Sequence, residues 1–343
     1  MQAIVLHGKQ DLRFNPNHRT PKPGPGEVLL RITYSSICQT DIEMWQHGMI
    51  FTKNREPRIL GHEAAGIIEA LGKGVSSIQV GTRVAIENVR TCGVCFFCRK
   101  DTSQLCDNGR NFGFTDDGGL AEYGVWPADL CIPLPANVTN EEAPLAEPTS
   151  VAVHAVENAN ITTDSSAAII GCGVVGLATL QVLRDAGATV IAIDPREQSL
   201  AIAKQLGATE VLNPTKTDPA LALPEITNGH GPDVIIETAG APGTALNAAQ
   251  WVRKGGRAVI VGFSHQDQTL NFGRAHQGEK TVIASSATST GGYRKAVDLI
   301  AQGAVNVKPL ISALVPLDRG IEDGFERMLR PNKNVYRILV GNG

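Results

Sequence analysis

Residues 171–176 read Gly-Cys-Gly-Val-Val-Gly, and of everything in this chain that hexapeptide most restricts the fold. It follows the apolar run Ala-Ala-Ile-Ile and opens the helical stretch LATLQVLRDAGA. In that setting a G-x-G-x-x-G marks a strand-turn-helix unit built to hold a dinucleotide. Gly171 permits the tight turn, Gly173 lets the backbone approach a pyrophosphate, and Gly176 lets helix and strand pack closely. Val174 and Val175 start the helix, whose first N–H groups and positive dipole end face the phosphates. Asp194 ends the next run, TVIAID, 18 residues after Gly176, where it would accept hydrogen bonds from ribose hydroxyls. A carboxylate there repels a 2'-phosphate, so the spacing favours NAD over NADP. Arg196 is the one feature that argues for NADP; its plainer reading is an exposed residue in the first turn of the following helix. The alternative for the whole motif is a glycine-rich turn that binds nothing, and the strand-helix context argues against it.

Around this motif the chain has two styles. Residues 1–148 carry many Gly and Pro with short runs such as EVLLRITY, GIIEAL and TRVAIE between turns, an irregular and mostly antiparallel β pattern. Residues 149–286 alternate apolar runs (SSAAIIG, TVIAID, PDVIIET, GRAVIVGF, KTVIAS) with Ala-rich helical pieces, the signature of βαβ units and a parallel sheet. Residues 287–343 hold an amphipathic helix, YRKAVDLIAQGAV, then SALVPL and YRILV, and read as a return to the first domain. The expected fold is therefore α/β: a doubly wound domain inserted in a mostly β domain. The chain's 343 residues suffice for two cores. With 31 basic against 34 acidic residues and no basic stripe, nothing points to nucleic acid or an anionic membrane. The N-terminal MQAIVLHGKQDLRF lacks the pattern of a secretion signal and no apolar run reaches membrane-spanning length, so the expected location is cytoplasmic.

Seven cysteines are an odd number, and four of them crowd into one segment: Cys92, Cys95, Cys98 and Cys106, spaced C-x2-C-x2-C-x7-C. That spacing favours metal over disulfides. Four thiolates close a tetrahedral zinc completely, which makes this lobe (about 88–110) a structural bolt and leaves no position for a substrate. An iron–sulfur centre is the rival reading.

An open, catalytic site needs about three protein ligands and one exchangeable position. The segments Ser36-Ile37-Cys38-Gln39-Thr40-Asp41, Gly61-His62-Glu63-Ala64-Ala65-Gly66 and Leu145-Ala146-Glu147-Pro148 can supply them. Each alone has an ordinary reading: a core thiol, a satisfied histidine, a helix-start acid. Together with PGPGEVLLRI, the four-cysteine lobe, GGLAEY, GCGVVG and YRILV, they give the chain, over essentially its whole length, a resemblance to the zinc-dependent medium-chain dehydrogenase/reductases. Sorbitol, butanediol and threonine dehydrogenases are the branch it looks most similar to. The resemblance implies a GroES-like catalytic domain with an inserted Rossmann domain, two zincs per chain, and a site in the cleft between the domains. It implies Cys38 and His62 as ligands of the catalytic zinc, with Glu63 and Glu147 as acidic partners that are not separated at this stage. Asp41 matches an acid that holds the His62 ring, Thr40 a hydroxyl that takes the substrate's proton, and Arg337 an arginine that reaches the pyrophosphate. The reaction implied is oxidation of an alcohol with hydride transfer to the nicotinamide. A homodimer or homotetramer is implied as well.

One position departs from the family. Where many members carry a histidine five residues after the zinc cysteine, this chain has Glu43. A carboxylate can accept from several hydroxyls, so the expected substrate is a polyol, sugar or cyclitol rather than a simple alcohol. Threonine or simple alcohols and diols are the alternatives within the family. His47 is a second candidate for contact with substrate, though a surface histidine is the plainer reading. Trp45, Phe51 and Phe114 are candidate cleft residues, and His154 reads as a core or hinge residue. A zinc-free reductase of the superfamily and a non-catalytic NAD-binding protein are the competing classes. Zinc content separates the first and alcohol-dependent NADH production the second.

Overall fold

The computed structural model describes residues 1–48, 57–264, 266–267, 269–330 and 335–341. Phe51, a candidate cleft residue, lies outside them. The chain forms two compact units, Met1–Glu147 with Tyr293–Ala301 and Val307–Gly343, and Pro148–Gly292 with Gln302–Asn306. The return to the first unit therefore begins at Tyr293, later than the boundary of 286 that the change of sequence style suggested. Residues 302–306 also belong to the second unit, where Asn306 N–H donates to Gln181 Oε1 at 2.7 Å and Gln181 Nε2 donates to the Asn306 carbonyl at 3.3 Å.

The second unit is a six-stranded, wholly parallel sheet ordered Glu210–Leu212, Thr189–Ile193, Ser166–Ile170, Val234–Glu237, Arg257–Ile260, Thr281–Ala284. In chain order this is 3-2-1-4-5-6, the doubly wound dinucleotide-binding arrangement. The inner strands are buried on both faces, without alternation: residues 167–170, 190–193 and 234–237 are buried in unbroken runs. Edge strand Glu210–Leu212 was invisible as a sequence pattern. Three residues with Glu at the first carry no periodicity, and pairing with Thr189–Ile193 is what makes them a strand.

The first unit is organised by one long strand, Glu27–Ser36. On one side it pairs antiparallel with Glu63–Leu71. On the other it pairs with Tyr123–Pro127 near its start and with Arg337–Gly341 at its end. Alternation buries Val28, Leu30 and Ile32 against Ile68, Val84 and Trp126. Register then fixes what meets at the strand's far end. Ser36 stands opposite both Glu63 and Leu339. Cys38 is two residues beyond Ser36, His62 one before Glu63 and Arg337 two before Leu339, so three segments far apart in sequence converge at one end of the sheet.

The lobe between the paired strands Val89–Arg90 and Arg110–Asn111 contains only the short helix Phe96–Arg99 and a 3-10 turn at Ser103–Leu105. None of the residues in those two helical pieces is buried, and Val94 and Phe96 are 69% and 60% exposed. A segment this small has no apolar core to hold it, and a metal is the usual substitute.

Candidate active site

Cys38 ends the approach from the long strand and caps the helix Gln39–His47. Asp41, in that helix's first turn and fully buried, accepts from the Cys38 backbone N–H at 2.8 Å and from Gly61 N–H at 3.2 Å. One carboxylate thus ties the cysteine segment to the Gly-His-Glu segment. Gly61 sits at φ +93°, and a Cβ there would come within 2.5 Å of Ser35 Oγ and 2.8 Å of Leu120 Cγ, so only glycine lets His62 emerge at this angle. The His62 ring is 6% exposed, with Nδ1 3.4 Å from Asp41 Oδ1 and Nε2 4.0 Å from Glu63 Oε1. Phe114 walls it in, ring centroids 4.7 Å apart. Burial pulls the imidazole's pKa down, but Asp41 and the Cys38 sulfur outweigh it and hold it well above the ordinary value.

Cys38 Sγ, a His62 ring nitrogen and a Glu63 carboxylate oxygen all lie within 4.8 Å of one another. Ligands on a tetrahedral zinc at about 2.0–2.3 Å sit roughly 3.3–3.8 Å apart, so small side-chain movements suffice and the donors fit the ion. The Asp41–His62 contact is the acid-to-imidazole backing that ligating histidines usually have. Thr40 Oγ1 lies 3.7 Å from Cys38 Sγ, beside the same point. Glu147, in the first turn of the helix Ala146–Ala159, is only partly buried and is not in the triplet. Burial raises its carboxyl pKa to about 7, with His62 opposing that rise and Glu63 adding to it.

Arg337 has partners within the first unit. Its guanidinium is buried, donating from Nε to Glu63 Oε2 at 2.8 Å and from Nη2 to Glu63 Oε1 at 2.7 Å, with Cys38 Sγ 3.4 Å from Nη2. These contacts tie it to the Cys38–His62–Glu63 cluster. Ser36, which the sequence reading passed over, donates its hydroxyl to Glu63. Its signal was a polar residue buried at the end of an apolar strand. Glu43 accepts from Gln39 Nε2 at 3.1 Å and lies 3.9 Å from His47 Nε2, both contacts running along its own helix. Trp45 packs edge-on against Phe325 at 5.7 Å, and His154 is buried with Asn158 Nδ2 3.2 Å from its Nε2.

In the lobe, Cys95 Sγ lies 3.5 Å from Cys98 Sγ and 3.8 Å from Cys106 Sγ, and Cys92 Sγ 4.0 Å from Cys98 Sγ. Four thiolates about 2.3 Å from a tetrahedral ion stand about 3.8 Å apart, so the cage has the dimensions of zinc. An iron–sulfur cluster distributes its thiolates over separate irons and needs a wider cage. Backbone N–H groups around the sulfurs and the neighbouring thiols lower the pKa of Cys92 to about 6.

At the glycine motif, Gly171 has φ +96°, and a Cβ on Gly176 would collide with the Gly171 carbonyl. A Cβ on Gly173 would meet nothing within 4 Å, which leaves the open approach a diphosphate requires. Asp194, 3% exposed, accepts from Cys172 N–H at 2.8 Å. It is also gripped by Arg196, whose Nε and Nη2 each lie 3.0 Å from one of its oxygens. Arg196 is exposed, as the sequence suggests, and its guanidinium also pairs with Asp194. Thr238, also missed, donates its hydroxyl to the Gly171 carbonyl at 2.8 Å.

Comparison with known proteins decides the family. Residues 24–136 match the alcohol dehydrogenase GroES-like domain and residues 174–302 the zinc-binding dehydrogenase family. D-xylulose reductase A of Aspergillus oryzae is 33% identical over 348 residues, covering 99% of this chain and 96% of that one. The chain belongs to the zinc-dependent medium-chain dehydrogenase/reductases. Among solved structures of this family, 2R,3R-butanediol dehydrogenase from Bacillus subtilis superposes with a TM-score of 0.91 at 27% identity, covering 100% of this chain and 99% of that one. A Sinorhizobium meliloti protein solved with NADP bound superposes at 0.92 with 30% identity, covering 99% and 98%.

Proposed function

We propose that this dehydrogenase oxidises a secondary alcohol of a polyol, sugar or cyclitol to the ketone and passes the hydride to NAD. Family membership makes it an oxidoreductase acting on a CH–OH group. The observation that carries the reading is the convergence of Cys38, His62 and Glu63 on one point with Asp41 behind the histidine. Zinc, when bound there, supplies Lewis acidity to a substrate oxygen, and the dinucleotide supplies the hydride acceptor.

The chain's own residues do the rest. Cys38 and His62 would hold the ion, and Asp41, beside Nδ1, would fix the imidazole. Glu63 is the nearest acid, shared with Arg337, and Glu147 is the alternative acidic partner. Thr40 would accept the substrate's hydroxyl proton while passing its own outward towards solvent. Glu43, steadied by Gln39, accepts from a second hydroxyl of the substrate. Cys92, Cys95, Cys98 and Cys106 hold a second, structural zinc. In the other unit, Gly171–Gly176 receive the pyrophosphate and Asp194 the adenosine ribose. Arg337, paired with Glu63, is also the arginine that would reach the pyrophosphate. The working form is a homodimer or homotetramer.

The named activities of the D-xylulose reductase and butanediol dehydrogenase relatives support a secondary hydroxyl beside another oxygen function. NADP use is the second reading, supported by the Arg196–Asp194 pair and by the relative solved with NADP. The test is NADH formation by zinc-replete protein across sugar alcohols, cyclitols, vicinal diols, threonine and simple alcohols. Turnover confined to simple alcohols overturns the polyol assignment, and turnover with NADP alone overturns the cofactor assignment.

A further inference from the structure

Glu237 ends the strand Val234–Glu237 and is wholly buried, an unusual place for a carboxyl group. Its Oε1 accepts from two successive backbone N–H groups, Ala239 and Gly240, at 2.8 Å each. Its Oε2 is buried with no hydrogen-bond partner among the described residues. Its carbonyl accepts from Val261 N–H at 2.8 Å and Gly262 N–H at 3.0 Å, which brings in the loop after the neighbouring strand. The next residue faces the other way: Thr238 N–H donates to the Ile170 carbonyl at 2.9 Å, and its hydroxyl to those of Ile170 and Gly171 at 3.2 and 2.8 Å. Ala239 then lies so close over Gly171 that a Cβ there would meet it at 2.9 Å. Four consecutive residues, Glu237 to Gly240, therefore lock together the loops that follow strands Ser166–Ile170, Val234–Glu237 and Arg257–Ile260.

The strand order reverses between the first two of these strands, and ligands of open parallel sheets bind outside the carboxyl ends at such a reversal. A side chain needed only for packing would be apolar here. Leaving one carboxyl oxygen buried and unpaired is costly, and such costs concentrate where geometry serves a ligand. We propose that Glu237 and Thr238 are positioning residues of the dinucleotide site. Glu237 fixes the turn at Ala239–Gly240, Thr238 fixes the carbonyl of Gly171, and together they hold the glycine turn open for a diphosphate before any ligand arrives. The inference rests on the reading that this unit binds a nicotinamide dinucleotide.

The experiment titrates NADH into the full-length, zinc-replete protein, following nucleotide fluorescence, for wild type, Glu237→Ala, Glu237→Gln and Thr238→Val. Melting temperature, zinc content and KM for NAD and for alcohol are measured alongside. Glu237→Ala is expected to weaken NADH binding tenfold or more. Glu237→Gln, which keeps an acceptor for the two N–H groups, is expected to stay within threefold of wild type. Thr238→Val is expected to lose about fivefold. The KM for NAD should rise in step while that for alcohol and both zincs stay as in wild type. NADH affinity unchanged in Glu237→Ala and Thr238→Val overturns the inference while leaving the dinucleotide reading intact. Equal losses in both KM values with no recovery in Glu237→Gln also overturn it, because they describe general unfolding. If Glu237→Ala does not fold, Thr238→Val decides by the same criterion. Wild-type protein that binds neither NADH nor NADPH overturns the dinucleotide reading and this inference with it.

Discussion

Single residues divide the labour at the metal cluster, and each division has a measurable consequence. Asp41 touches His62 Nδ1 and two backbone N–H groups. Asp41→Asn keeps the shape but removes the charge opposite the ring, and should reduce zinc affinity or activity about 10–100-fold, read as zinc retained after dialysis against a graded chelator. Glu63 belongs to the ligand triplet and Glu147 does not, so Glu63→Gln should lower zinc retention in the same assay more than Glu147→Gln; the reverse order would make Glu147 the acidic ligand. At the cofactor end, Arg196 neutralises Asp194. Asp194→Ala should weaken NADH and strengthen NADPH, and Arg196→Ala should do the opposite, each by about tenfold, the effect of roughly one charge-assisted hydrogen bond. Equilibrium titration of both nucleotides into both variants checks it.

Secondary-structure elements carry the next level of consequence. The cysteine lobe has no buried side chain in either of its helical pieces, so its fold and its metal stand or fall together. Cys95→Ser should drop zinc from two per chain to one and expose the segment 88–110 to protease while the rest of the chain stays folded, seen by metal analysis and limited proteolysis. In the parallel sheet, Asp233 joins the start of two strands to a loop. It accepts from Ser166 N–H at 2.7 Å, from Ser166 Oγ at 2.6 Å and from Arg253 Nε at 2.6 Å. Burial alone would raise this carboxyl's pKa, but the donors from Ser166 and Arg253 prevail and hold it below the ordinary carboxylate value. A depressed folded-state pKa stabilises above the unfolded value and loses that stability as pH falls through the folded one. Asp233→Asn should therefore cost about 1–2 kcal/mol near neutral pH, with the difference from wild type shrinking below about pH 4. Denaturant melts at pH 7 and pH 3 measure both.

For the molecule as a whole, the division into two units separates the chemistry of metal and nucleotide. The proposed metal ligands come from one unit and the glycine turn from the other. Removing the catalytic zinc by Cys38→Ala should abolish turnover yet leave NADH affinity within about threefold, because no ligand of the nucleotide motif is touched. Titration of that variant alongside wild type checks it. Glu43→Ala should cut activity on polyols relative to simple alcohols, and an unchanged ratio would remove Glu43 from substrate recognition. No helix among the described residues is long and apolar enough to cross a membrane. The sheet of the second unit ends in Thr281–Ala284, which among the described residues pairs on one side only and where Val282 is 36% exposed. An open strand edge is normally covered, in keeping with the symmetric dimer or tetramer we propose, and light scattering measures the mass.

What the sequence determined by itself was whatever depends on local spacing. The doubly wound sheet was legible because buried parallel strands leave apolar runs and helices leave their own period. The cysteine cage was legible because its four thiols span only 15 residues, and the glycine turn because three glycines each answer one steric demand within six residues. Family likeness added Cys38, His62 and Glu147 as candidates, but no local pattern joined them. Only tertiary structure could decide what register brings together. Ser36 meets Glu63 because two strands pair at that step, and Arg337 joins them because a strand nearly 300 residues away ends beside Ser36. Arg196 folds onto Asp194, and Glu237 turns inward under the nucleotide loops, through backbone geometry that leaves no mark in periodicity or composition. A charged side chain looks the same in sequence whether water or another charge will satisfy it, and only the packed chain makes that choice.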